Sequence, residues 1–211
     1  MQASVESGQG ALGDPSESGG DVRCGDPGGL LARHAAGDAE AFGELVAAYR
    51  RPVFSYLSRC GVAPEDRDDV FQHVFLRIHR AAGQYDPVRP AHPWLFTIVA
   101  NEVRRHLRRR RVRQLVFADA SDREPEDPAP DSQRVVEVRE TVAWLERELG
   151  SLPLAQREVL ILACIESRPL QEVAEALGRP LNTVKTHLRR ARLALGRGLA
   201  RRRGQGAVEE Q

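Results

Sequence analysis

The chain has 211 residues, 31 of them basic and 30 acidic, for a formal net charge of +1, and 41% are hydrophobic. That length suits one large domain or two small ones, and the near-zero charge by itself says nothing about a polyanionic partner. No apolar run reaches the roughly 20 residues that span a bilayer, and the N-terminus has no basic-then-apolar signal pattern, so a soluble, cytoplasmic protein is expected.

The three cysteines, Cys24, Cys60 and Cys164, are far apart and fit reduced thiols better than a disulfide framework. No CxxC, HxxxC or HExxH spacing occurs and the six histidines are scattered, so no metal and no cofactor is expected. Lys185 is the single lysine among the 31 basic residues, a bias that fits GC-rich coding.

Residues 1–29 are rich in Gly, Ser, Asp and Glu and read as a disordered leader. Helical periodicity begins near Leu30. From Asp38, a plausible cap, to about Cys60 the apolar set is Phe42, Leu45, Val46, Tyr49, Val53 and Leu57, and Pro52 is expected to kink or interrupt that helix. A second helix is expected over about 65–82, with Val70, Phe71, Val74, Phe75 and Ile78 inward. Residues 82–93 hold three prolines and a glycine and read as a loop. A third helix, about 93–111, carries Leu95, Ile98, Val99, Val103 and Leu107 inward and ends almost purely in arginine. Cations are favoured at a helix C-terminus, which accounts for part of that run.

Residues 117–132 are acidic and proline-rich, a linker with no core of its own. Helix resumes near Gln133 with Val135, Val138, Val142, Leu145 and Leu149; Leu152-Pro153 punctuates it, and residues 154–165 form another helix. Residues 170–195 then read as two helices joined by a tight turn. Leu170, Val173, Ala174 and Leu177 line the first, Gly178 ends it, and Pro180 suits the first turn of the next. The second buries Val184, Leu188, Ala191 and Leu195, leaving Asn182, Thr183, Lys185, Thr186, Arg189, Arg190 and Arg192 largely on its other faces.

Such a helix-turn-helix places its second helix in the DNA major groove. A merely solvated hairpin would mix both signs of charge, yet residues 179–203 hold nine Arg or Lys and no acid. Residues 104–113 hold seven more arginines, and between these two blocks residues 119–140 carry eight acids against three arginines. Two phosphate-facing surfaces on one chain are expected. No stretch alternates as a strand does. The fold class expected is all-α, in two small helical domains: leader 1–29, first domain 30–113, linker 114–133, second domain 134–200 and tail 201–211.

Four blocks in order resemble a bacterial RNA polymerase sigma factor of the extracytoplasmic-function (ECF) group of the sigma-70 family. DAEAFGELVAAYRRPVFSYL (38–57) is similar to region 2.1 and DRDDVFQHVFLRIHR (66–80) to region 2.2. HPWLFTIVANEVRRHLRRRR (92–111) resembles regions 2.3 and 2.4, while LPLAQREVLIL (152–162) with LQEVAEALGRPLNTVKTHLRRAR (170–192) resembles regions 4.1 and 4.2. The match spans roughly residues 30–199.

The resemblance implies a protein that binds core RNA polymerase, directs it to promoter DNA and helps to open the duplex. An anti-sigma factor is then a possible further partner, with no membrane insertion. The −35 element would be read by Asn182, Thr183, Lys185, Thr186, Arg189, Arg190 and Arg192. Arg and Lys suit guanine edges and phosphates, and phosphate is the favoured role of Arg189, Arg190 and Arg192, because positions near the helix start lie closer to base edges.

In the family, the loop after region 2.2 captures a flipped base of the −10 element; here that implies Gln84, Tyr85, Asp86, Arg89 and His92. Trp94 either assists melting by stacking or belongs to the core. Asn101, Arg104 and Arg105 would hold the separated strand, and Arg108 to Arg113 would attract phosphates without regard to sequence. Asp69, Gln72 and His73 match positions of the polymerase clamp, where His73 replaces a usual acid. The acidic linker either imitates nucleic acid in a basic channel or is simply solvated.

Nothing in the sequence looks catalytic: there is no GxxxxGK[ST], no paired carboxylates and no nucleophile–His–acid set, so the protein is expected not to be an enzyme. The alternative is a helix-turn-helix transcription regulator binding operator DNA without polymerase; an adaptor that binds helices and not DNA is a more distant one.

Overall fold

A computed structural model describes residues 26–116 and 133–206. Of the expected leader (1–29), linker (114–133) and tail (201–211), residues 1–25, 117–132 and 207–211 lie outside the described residues, whereas 27–29 open the first helix and 201–206 continue the last. Helix α1 (Pro27–Ala35) starts with proline in its first turn and with Asp26, whose carboxylate accepts from the Gly28 N–H. Helix α2 (Ala39–Arg59) is capped as expected: Asp38 Oδ1 accepts from the N–H groups of Glu40 and Ala41 at 3.0 and 3.2 Å. The backbone donor of Ala41 and the side-chain donor of Arg33 hold the Asp38 carboxyl below its usual range.

Pro52 does not interrupt α2. A proline there lacks the N–H that would bond four residues back, but Tyr49, Val53, Tyr56 and Leu57 are all buried on either side of it. Their burial outweighs one missing bond. Helix α3 (Pro64–Ala81) has Pro64, Glu65 and Asp66 in its first turn and buries Val70, Phe71, Val74, Phe75 and Ile78, the set read from the periodicity. A 3₁₀ turn follows at Ala82–Gln84.

Helix α4 (Ala91–Val116) begins two residues before Pro93 and runs five beyond the expected end. Pro93 falls in the first turn, where no intrahelical donor is needed. Arginine is a good helix former, so the basic run extends the helix. Helices α2, α3 and α4 close a core around Leu45, Tyr56, Leu57, Val74, Ile78, Leu95, Phe96 and Val103.

In the C-terminal part, α5 (Gln133–Ser151) and α6 (Leu154–Leu160) flank the Leu152-Pro153 break. The last turn of the expected 154–165 helix is a π turn at Ile161–Ile165, closed by Glu166 N–H to the Ile161 carbonyl at 3.0 Å. Helix α7 (Leu170–Leu177) ends at Gly178, whose φ of 61° and ψ of 41° lie in the left-handed region that glycine adopts without strain. Arg179 N–H then bonds the Ala174 carbonyl at 2.9 Å, and α8 (Leu181–Gly206) begins. Val159, Ile161, Leu162, Val173, Leu177, Val184, Leu188 and Ala191 are buried here and continue the same apolar cluster into the C-terminal part.

Among the described residues all regular structure is helical. The sequence predicts two separate helical parts; the structure also packs them together, α4 lying against α7.

Candidate nucleic-acid and polymerase interface

The helix-turn-helix is built as its periodicity predicts. Val184 and Ala191 are fully buried and Leu188 nearly so, with Leu195 packed at the edge of the core. Burying three such side chains contributes several kcal/mol, at about 1.5–3 for each large aliphatic one, and fixes which way α8 faces. Asn182, Lys185, Thr186, Arg189, Arg190 and Arg192 consequently stand exposed, and Thr183 is half-buried. Thr186 Oγ1 donates back to the Asn182 carbonyl at 2.9 Å, which satisfies its hydroxyl within the helix. Arg192 reaches Cys164 Sγ at 3.4 Å, while Lys185, Arg189 and Arg190 extend from the surface of α8. His187, beside Arg179 at 3.3 Å, has its pKa lowered by burial and by the Arg179 and Arg190 cations.

The segment between α3 and α4 divides the residues expected there into two groups. Gln84, Asp86 and Arg89 are exposed at its tip, where Asp86 Oδ1 accepts from Val88 N–H at 3.0 Å and shapes the turn. Tyr85 is buried; its hydroxyl donates to the Arg89 carbonyl at 2.6 Å and its ring lies 5.3 Å from that of half-buried Trp94. His92, in the first turn of α4, is 8% exposed and stacks on Phe96 at 4.4 Å between ring centroids. Burial, with the Arg168 cation adding to it, pushes the His92 pKa down to about 3, so its imidazole is neutral. Tyr85, His92 and Trp94 brace this segment from within, whereas the exposed tip is free to meet a ligand.

Further along α4, Asn101 and Arg105 are exposed and Arg104 is half-buried. Arg77 pairs with the nearly buried Glu102, tying α3 to α4. His106 and Arg110 both approach Asp66, at 3.2 and 3.9 Å. Arg108, Arg109, Arg111 and Arg113 are exposed. On α3, Asp69, Gln72, His73 and Leu76 share the solvent face opposite the buried Phe71–Phe75 side, where Leu76 is 45% exposed.

One functional-looking group was not singled out from sequence. Glu158 on α6 is fully buried, and its carboxylate accepts from Arg104 Nε at 2.8 Å and Nη2 at 3.0 Å. Arg179 Nη2 lies 3.6 Å away and the Tyr56 hydroxyl donates at 3.4 Å. A signal existed: Glu158 sits in the apolar register of LPLAQREVLIL, four residues from both Leu154 and Leu162. Beside it, Arg157 donates to the Cys60 carbonyl at 3.0 Å, and burial pushes the Cys60 thiol up.

The exposed cationic helix on a buried apolar seam, joined to a second helical unit with its own arginine-ended helix, defines a two-domain helix-turn-helix DNA-binding protein. Comparison with known proteins takes this further. Sigma-70 region 2 matches residues 45–113 and Sigma-70 region 4 matches residues 143–195. The RNA polymerase sigma factor NccH of Alcaligenes xylosoxydans xylosoxydans is 36% identical over 168 residues, 78% of this chain and 90% of NccH. The ECF RNA polymerase sigma factor SigM of Mycobacterium tuberculosis is 33% identical over 169 residues, 80% of this chain and 82% of SigM.

The sigma factor CnrH of Cupriavidus metallidurans is 34% identical over 174 residues, 79% of this chain and 90% of CnrH. A solved structure of CnrH in complex with the cytosolic domain of CnrY superposes with a TM-score of 0.65 at 28% identity, covering 83% of this chain and 98% of that one. The chain belongs to the ECF group of the sigma-70 family of RNA polymerase sigma factors. It binds core RNA polymerase and directs promoter-specific initiation through −10 and −35 recognition and promoter melting; the polymerase-free operator-binding regulator is not favoured.

Proposed function

We propose that three surfaces divide this work. The α3 face bearing Asp69, Gln72 and His73 docks core polymerase, with Leu76 as an apolar anchor. Gln84, Asp86 and Arg89 at the turn tip, with Asn101, Arg104 and Arg105 on α4, meet the −10 element and its separated strand. Asn182, Thr183, Lys185 and Thr186 on α8 read −35 bases while Arg189, Arg190 and Arg192 hold the flanking phosphates. Tyr85, His92 and Trp94 support the −10 surface from behind.

The observation that carries this reading is the clean separation of faces on α8: Val184, Leu188 and Ala191 inward, and the polar and cationic residues outward with no acid beside them. Such a face suits a groove lined by phosphates and base edges. Polymerase binding and −10 recognition belong to the first domain, from α1 to α4, and −35 recognition to the second, from α5 to α8.

The protein works in the cytoplasm with no metal or cofactor and is not an enzyme; it contributes binding energy while the polymerase performs the chemistry. Because CnrH is seen bound to CnrY, an anti-sigma factor is a further partner for this chain. Two double variants test the division. Asp69→Ala with Gln72→Ala should weaken association with core polymerase and leave −35 duplex binding intact. Arg189→Glu with Arg190→Glu should abolish −35 binding and leave core association intact. Equal loss of both activities in either variant would refute it.

A further inference from the structure

Promoter elements named −10 and −35 lie about 25 base pairs apart, or about 85 Å along a duplex at 3.4 Å per base pair. The two DNA-facing domains of this chain nevertheless touch. Arg104 of α4 and Tyr56 of α2 meet Glu158 of α6 at hydrogen-bond distance, Arg157 reaches the Cys60 carbonyl, and Thr97 of α4 faces the Glu175 carbonyl of α7 at 3.5 Å. A molecule in this arrangement cannot hold both elements of an extended promoter at once.

The chemistry at the centre of the contact says what holds it. Glu158 is fully buried, and an unpaired carboxylate there would be prohibitively costly. Its counter-charges come from both halves: a bidentate Arg104 from the first domain and Arg179, the first residue after the helix-turn-helix glycine, from the second. A carboxylate between two guanidiniums offers the same planar oxygen acceptors that a DNA phosphate offers.

We infer that Glu158 is an internal anion that latches the two domains together and occupies Arg104 and Arg179 until nucleic acid and polymerase displace it. In the latched form α7 covers the flank of α4 that carries Thr97 and Arg104, while the −35 face of α8 stays bare. The latch therefore withholds strand capture more than duplex recognition. Binding partners that need separated domains must work against it, which lowers their apparent affinity by the closed-to-open ratio. The part of the inference that concerns DNA rests on the reading of α4 as a strand-holding surface; the part that concerns the latch does not.

Removing one partner of a buried ion pair penalises only the state that buries it, because the open state returns each group to water. Glu158→Gln leaves two guanidiniums facing a neutral amide, and Arg104→Glu sets two carboxylates against each other. Each change, one in either domain, should shift the closed-to-open ratio by at least about a hundredfold toward open.

The test is small-angle X-ray scattering of the full-length chain and both variants, with circular dichroism as the control for helix content. Binding of a 12-nucleotide oligodeoxythymidine by Glu158→Gln is measured alongside. A larger radius of gyration in the variants at unchanged helix content is expected. If one variant loses helix, the other decides. Unchanged size in a variant that keeps its helices, or a wild-type chain already expanded, would overturn the latch. Expansion with at least tenfold tighter oligonucleotide binding supports the whole inference. Expansion with unchanged oligonucleotide binding supports the latch and counts against α4 as the strand-holding surface.

Discussion

The assignment of Arg189, Arg190 and Arg192 to phosphates has a measurable thermodynamic signature. All three are exposed on α8, and among the described residues the side-chain hydrogen bond of the set is Arg192 with Cys164 Sγ at 3.4 Å. Replacing the three by alanine should change stability by less than about 1 kcal/mol, as surface substitutions do. Each phosphate contact contributes about −0.9 to the slope of log K against log salt, so losing three flattens that slope by about 2.7. Between 50 and 200 mM salt the ratio of concentrations is about 4. The wild-type holoenzyme should therefore lose about 40-fold more promoter affinity over that range than the triple variant.

Fluorescence anisotropy of a labelled promoter duplex, titrated at four salt concentrations, reads the slope directly. Equal slopes with a uniformly weaker variant would refute the phosphate assignment and point to base contacts. Equal affinity and equal slope would place this face of α8 away from DNA altogether.

Further outcomes follow from the turn, the buried histidine and the clamp face. Gly178→Ala puts a Cβ into open space, with nothing within 4 Å, at φ +61°, so its cost is the left-handed backbone alone; urea unfolding should show a loss of about 1–2 kcal/mol, and no loss would mean the turn is not formed as described. His92 has a folded pKa pushed down to about 3 against an ordinary value near 6.5, so the folded state takes up fewer protons than the unfolded one between those pH values. Its contribution is complete above pH 6.5 and is lost as pH falls: from pH 6.5 to 5 the wild type should lose about 2 kcal/mol relative to His92→Gln, and parallel pH profiles of the two would show that the ring is solvated. His73→Glu restores an acid on the α3 face and should tighten core association several-fold in a competition assay, without altering promoter choice; unchanged affinity would remove His73 from the interface.

The helices and their buried sides were legible because they rest on local periodicity. Val70, Phe71, Val74, Phe75 and Ile78 repeat at helical spacing, as do Val184, Leu188 and Ala191, and both sets are buried. Gly178 and Asp38 announced their roles through backbone chemistry that each residue type performs locally. Pro52 misled because its local penalty is set against tertiary burial of Tyr49, Val53 and Tyr56, which no local rule contains. The inward packing of Tyr85 and His92 was hidden for a similar reason. Tyr85 and His92 are polar residues in a proline-rich segment, and nothing in their neighbours shows that Trp94 and Phe96 draw their rings inward. The Glu158 contact was least accessible, since Tyr56, Arg104 and Arg179 reach it from sequence separations of 102, 54 and 21 residues.

On the proposed reading, one polypeptide reads two separated promoter elements through two separate faces while bound to polymerase. The most direct measurement is selection of duplexes from a random library by core polymerase reconstituted with this chain, followed by sequencing of the retained DNA and run-off transcription from it. Two sequence blocks about 25 base pairs apart centre to centre are expected, about 85 Å along the duplex. Arg189→Glu with Arg190→Glu should erase only the upstream block, and alanine at Gln84, Asp86 and Arg89 should blur only the downstream one. A single retained block, or no association with core polymerase, would contradict the account.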